Sequence, residues 1–149
     1  YRLNVVDAAC GSRFYNFEKT KDGGTTWTEV NGDPFDQNMG VAEGLLFFTN
    51  DFGFAGLTYA SEDFSMLYVT KDGGETFERL ELPLDTVTEL PSEAEELGFT
   101  IEDYDYHTMP QIVDGKMEIY LQTDAMEQQG IIFQSADNGV TWEYAGCKE

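Results

Sequence analysis

The sequence predicts an all-β chain of about three repeated units, each a four-stranded antiparallel sheet. Three observations predict it. One eight-residue pattern, Ser/Thr-x-Asp-x-Gly-x-Thr-aromatic, occurs at Thr20–Trp27, Thr70–Phe77 and Ser135–Trp142. Runs of strand-forming composition flank each copy. Aromatic residues make up 14% of the 149 residues, which favours strands over helices.

The elements follow in order. In a first unit, about residues 1–32, Leu3–Ala8 and Arg13–Lys19 read as strands, then the first turn, then a strand over Thr26–Val30. Only one strand precedes this hairpin, so an outer strand is missing or supplied from elsewhere. The second unit, about 33–84, is the most complete. Leu45–Phe48 and Phe54–Tyr59 are strands joined by a turn at Asn50-Asp51-Phe52-Gly53. Met66–Val69 and Thr76–Leu82 then flank the second turn. Residues 85–99 read as a connector with one short helix near 92–97, in which Ser92 is a natural N-cap, Glu95 completes a capping box and Gly98 is a natural stop. The third unit, about 100–149, has strands at Gln111–Val113 and Lys116–Gln122 around an Asp114-Gly115 turn. Strands at Ile131–Gln134 and Thr141–Tyr144 surround the third repeat. The whole of 1–149 is expected to form one repeat domain.

The repeated segment has a physical reading. Asp-Gly and Asn-Gly between strand patterns are strong hairpin signals. The Asp side chain accepts hydrogen bonds from nearby backbone N–H groups and fixes the turn. Glycine at the fifth position takes a positive φ without steric cost. A Thr and an aromatic ring then lead into the next strand. The residues assigned this structural role are Thr20, Asp22, Gly24, Thr26 and Trp27, then Thr70, Asp72, Gly74, Thr76 and Phe77, and finally Ser135, Asp137, Gly139, Thr141 and Trp142. The three Asp positions stand 50 and 65 residues apart, spacings that suit a four-stranded sheet with loops.

On these residues the chain resembles the Asp-box, or BNR repeat, family of sialidase-like β-propellers. Gly53-Phe54-Ala55-Gly56 ahead of the second box is similar to the photosystem-assembly-factor group. The resemblance implies propeller-like blades with the boxes on the periphery, away from any catalytic face. The family's propellers usually have six or more blades and this chain encodes about three. Either the chain is a partial propeller completed by further blades of a larger secreted or lipid-anchored protein, which is the favoured reading, or chains associate, or the fold is a smaller and irregular relative. Residue 1 is Tyr, and a mature or trimmed form of a longer chain is expected. Sialidases share three arginines that grip a carboxylate, a Phe-Arg-Ile-Pro segment and a Tyr/Glu nucleophile pair. This chain has only Arg2, Arg13 and Arg79 and no such segment, so sialidase activity is not expected.

Charge narrows the partners. Twenty-nine acids against eight Lys and Arg give a net charge of −21. Such a surface repels nucleic-acid phosphates and anionic membranes. No apolar run reaches the roughly 18 residues that span a bilayer, so no membrane insertion is expected. Neutral glycans, cations and cationic proteins remain as partners.

The local candidates are few. Read as a strand, Asp103, Asp105 and His107 share one face, an arrangement open to a metal ion or, through Asp103 and Asp105, to glycoside hydrolysis. The alternative is an acidic loop with a solvated histidine. Asp33 and Asp36 offer carboxylates to calcium, without the spacing of an EF-hand; otherwise no cofactor is expected. Phe52, Phe54, Tyr59, Phe64, Tyr104 and Tyr106 are available to stack on sugars or to fill a core. Cys10 and Cys147, near the two ends, form either a long-loop disulfide or two free thiols. The expected function is a non-catalytic extracellular repeat module, secreted or on the cell surface, binding a glycan or protein. The alternatives are a glycoside hydrolase or a fragment of one, and an assembly or scaffold factor.

Overall fold

The structure is a computed structural model that describes every residue except Glu62. Strands hold 45% of the residues and helical turns 7%, so the chain is all-β. Its strands form three antiparallel sheets, and no closed barrel is present among the described residues.

The chain divides into two compact units. One comprises Tyr1–Ala60 with Met66–Leu80, and the other Ser61–Ser65 with Glu81–Glu149.

The first unit carries two sheets. One has three strands in chain order, β1 (Arg2–Ala9), β2 (Ser12–Lys19) and β3 (Thr28–Asn31). The other has four, β4 (Val41–Phe47), β5 (Gly53–Thr58), β6 (Ser65–Thr70) and β7 (Glu78–Arg79). All residues of β5 and β6 are buried, which is why Phe54–Leu57 and Met66–Val69 read as continuous apolar runs rather than alternating ones. Aromatic rings bind the two sheets together. Tyr1 stacks on Phe47 at 4.1 Å between centroids, and Phe17 stacks on Phe47 at 5.6 Å. Phe35 meets Tyr15 and Tyr68 edge-on. The Tyr15 hydroxyl accepts from the Ala42 amide at 2.9 Å. A backbone bridge joins Arg13 to Gly40, where a Cβ would lie 2.4 Å from the Thr58 carbonyl oxygen. Only glycine allows that approach.

The second unit carries the third sheet. Its strands are β8 (Tyr106–His107), β9 (Gln111–Val113), β10 (Lys116–Gln122), β11 (Gly130–Ser135) and β12 (Glu143–Lys148). β9 and β8 share one edge of β10, pairing with Lys116–Glu118 and with Leu121–Gln122 respectively. They act as one interrupted outer strand. Pro110 lies in the interruption, and its missing N–H cannot serve the ladder. Met117, Ile119, Leu121, Ile131 and Phe133 form the core of this sheet, each at most 2% exposed. Ahead of the sheet run a 3-10 turn at Leu84–Thr86, a helix α1 (Glu93–Leu97) and a second 3-10 turn at Ile101–Asp103.

Four sequence expectations are corrected. The sheets have three, four and five strands rather than four each. Thr26, Trp27, Thr76, Phe77, Thr141 and Trp142 precede β3, β7 and β12 instead of opening them, because the Thr amides bond an Asp carboxylate and not a neighbouring strand. Ser92 makes no side-chain cap for α1; its hydroxyl donates to the Glu149 carboxylate. The capping box belongs to Thr100 and Asp103, at the second 3-10 turn. Gly98 does end the helix, at φ 74°.

Candidate functional site

The repeated turns are the most regular polar structures in the chain. In the first, the Asp22 carboxylate accepts from the Thr26 amide at 2.8 Å, the Thr26 hydroxyl at 2.6 Å and the Thr20 hydroxyl at 2.8 Å. The Thr20 oxygen in turn accepts from the Gly24 amide at 2.8 Å. Asp72 receives the same donors from Thr76 and Thr70, with Gly74 donating to Thr70. Asp137 receives them from Thr141 and Ser135, with Gly139 donating to Ser135. The fifth-position glycines sit at φ 92°, 89° and 85°, in the left-handed region that side chains disfavour.

Hydrogen bonds to the ionised form hold all three carboxyls near 2. For Asp22 and Asp137 the Thr hydroxyl four residues on is the largest cause. At Asp72 burial pulls upward and is the largest single influence, yet the bonds from Thr76 and Thr70 outweigh it. The donors come from each turn's own eight residues, so the carboxylates are engaged in shaping the chain.

The strand geometry expected for Asp103, Asp105 and His107 does not form. Asp103 ends a 3-10 turn, Asp105 lies between elements and only His107 is in a strand. The Asp103 carboxylate accepts from the Thr100 amide at 2.7 Å and its hydroxyl at 2.9 Å, which lowers its pKa. Burial raises that of Asp105, with Asp63 and Asp103 adding to it. Among the described residues no three His, Cys, Asp or Glu come together as a metal-ligand set. Ser65 meets His107 through the backbone: its hydroxyl donates to the His107 carbonyl at 2.8 Å and accepts from the His107 amide at 2.7 Å. That is a structural tie, not the Ser–imidazole bond of a nucleophile.

The other candidates fall as follows. Asp33 accepts from the Gln37 amide at 2.9 Å, and Asp36 and Gln37 have φ near 50° and 61°; Asp33 thus shapes a turn. Phe54, Tyr104 and Tyr106 are buried, Phe52 packs edge-on to Phe54, and Tyr59 is 44% exposed. Cys10 and Cys147 are free thiols. Cys10 is exposed, and the Cys147 thiol donates to the Glu89 carbonyl at 3.4 Å.

Sequence reading missed two polar features of the second unit. Glu118 is 5% exposed, and its carboxylate accepts from Tyr120 at 2.8 Å and from Gln134 at 2.6 Å. Burial first, then Glu118, pushes Tyr120 up to about 12. The Glu-x-Tyr spacing on one strand face was the available signal. Tyr104 is 2% exposed and its hydroxyl has no hydrogen-bond partner among the described residues. Burial, then Glu93 and Cys147, raises it to about 12.

A groove was also not foreseen. Leu84, Val87, Leu90, Phe99 and Ile101 line a hollow of about 390 Å³ beside Glu89. No sequence periodicity marks these residues, because two 3-10 turns and a one-turn helix bring them together. Neither Asp103 nor Asp105 lines it.

Comparison with protein-family models, with curated proteins and with solved structures gives no match in any of the three.

Proposed function

We propose that the chain is a non-catalytic Asp-box repeat module of an exported protein, and that it binds a protein or glycan partner. The observation that carries this reading is the threefold recurrence of one turn whose carboxylate is engaged by its own neighbours. Asp22, Asp72 and Asp137 each receive the same Thr amide and hydroxyl, and each is held near 2. Residues held so are suited to building sheets and poorly suited to proton transfer near neutral pH.

The strand order supports a blade-like reading of the sheets. In each, the repeated turn joins the last two strands of a meander. The first sheet has three strands with β1 at its edge, and Val5 and Val6 on β1 are about half exposed. The charge of −21 supports a neutral or cationic partner.

One observation favours a glycoside hydrolase instead. Asp103 is held down and Asp105 pushed up, the split that an acid–base pair of carboxyls requires. A glycan array run beside reporter-glycoside hydrolysis separates the two. Binding without turnover supports the module; release of a reporter sugar that is lost in Asp105→Asn overturns it.

A further inference from the structure

We propose that the groove formed by residues 84–101 docks a polypeptide segment carrying aliphatic side chains flanked by lysine or arginine. The inference rests on the binding-module reading and gives it a location and a partner chemistry.

The groove is open and apolar. A second hollow of about 400 Å³ shares Thr88, Glu89, Leu90 and Phe99 with the first and extends towards Pro91 and Ala94. Each lies within the roughly 300–1,000 Å³ of ordinary ligand sites. Four of the five apolar walls are aliphatic, which suits a Leu, Ile or Val side chain. The one ring, Phe99, is turned edge-on to Tyr104 at 6.3 Å. A sugar platform needs an open ring face bordered by hydrogen-bonding groups.

The walls are held in place by local bonds. The Val87 amide donates to Leu84 at 3.2 Å, closing the 3-10 turn. The Glu89 carbonyl accepts from the Tyr144 hydroxyl at 3.2 Å. Thr100 and Asp103 cap the turn at the far end. A groove already formed costs little to order when a partner enters.

Charge selects the occupant. From Glu81 to Asp105 the chain has nine acids and no Lys or Arg. Asp85, Glu89, Glu95 and Glu102 are exposed. This field steers and registers a cationic segment at the rim while apolar side chains fill the hollow. It repels an anionic lipid surface, a nucleic acid and a second copy of this chain, which carries the same −21.

The test is selection of a displayed random-peptide library against the whole chain, with the selected peptides then titrated by NMR. The expected result is enrichment of sequences that combine aliphatic residues with Lys or Arg, and shifts confined to residues 84–101. Affinity should fall about tenfold in Leu84→Asp, whose side chain is 43% exposed, and about threefold in Glu89→Gln, with the drop in Glu89→Gln shrinking at high salt. Circular dichroism establishes that both variants fold. Peptides bound equally by wild type and Leu84→Asp, or shifts spread over the whole acidic surface, overturn the groove and leave the module reading standing. Hydrolysis of a reporter glycoside overturns the module reading itself.

Discussion

The turns at residues 20–27 and 70–77 have the same hydrogen-bond network in different surroundings. The first stands in solvent: residues 21–26 are all exposed. Its Trp27 ring is covered on one side by the Arg2 guanidinium, 4.1 Å from the ring centroid. A Cβ on Gly24 would meet only Trp27, at 3.6 Å. The second turn rests one side against the core of its unit, although Lys71, Asp72, Glu75 and Thr76 stay exposed. Gly73 and Gly74 are buried, Phe77 meets Phe17 edge-on at 5.3 Å, and the Asn31 side chain donates to the Glu75 carbonyl at 3.1 Å. A Cβ on Gly74 would lie 2.0 Å from a carbon of the Phe17 ring. The difference teaches that the turn's shape is local and its stability contribution is not.

The comparison can be broken most severely at its glycines. Gly74→Ala combines a disfavoured φ with a clash against a fully buried ring and is expected to cost about 3 kcal/mol or more. Gly24→Ala has the backbone strain alone and should cost about 1–2 kcal/mol. Parallel urea melts of the two variants measure the gap, and equal losses would show that packing against Phe17 does not matter.

A smaller difference is expected at the aspartates. Asp72→Ala leaves the buried Thr70 hydroxyl without its acceptor, while the exposed Thr76 donors turn to water, and should cost about 1–2 kcal/mol. Asp22→Ala, whose donors turn to water, should lower Tm less. If the order is reversed, burial does not set the stability of these turns.

Acid should act on all three turns. A carboxyl held near 2 when folded, against about 4 when unfolded, adds stability that is present above pH 4 and lost as pH falls through 2. Thermal melts should be flat in these groups' contribution from pH 7 to 5 and fall steeply between 4 and 2. The fall should be shallower in Asp72→Ala.

The smallest effect belongs to Arg2. It donates to Glu18 at 2.6 Å and covers Trp27, both at the surface. Arg2→Ala should cost about 0.5–1 kcal/mol and less at high salt. A salt-independent loss would mean that its carbon stem, not its charge, covers the ring.

What the sequence revealed and what it hid divide along the same line. Gln111–Val113 and Lys116–Gln122 were legible to the residue, because strand pattern and an Asp-Gly turn are neighbouring signals. The turn Asp residues were legible because their partners lie within four positions. The cap at Ser92 was not, because Glu149, 57 residues away, takes its hydroxyl. The break that splits β8 from β9 was missed although Pro110 marks it, since only the pairing with β10 reveals that both are one edge. Asp103 was misplaced for a third reason. Thr100-x-x-Asp103 is a capping signal, and the strand reading of 103–107 overrode it. The groove was invisible because its apolar residues obey neither helical nor strand period.

The solvent-exposed first turn has an evolutionary consequence. Eight consecutive residues contain every donor and acceptor of its carboxylate network, and the Arg2 guanidinium over the Trp27 ring lies outside that network. A segment of that kind can be copied within a gene and inserted elsewhere without requiring compensating changes at a distance. A copy inserted between two strands would close a new hairpin at one end, and only its packing would then need adjusting, as the close approach of Gly74 to Phe17 illustrates.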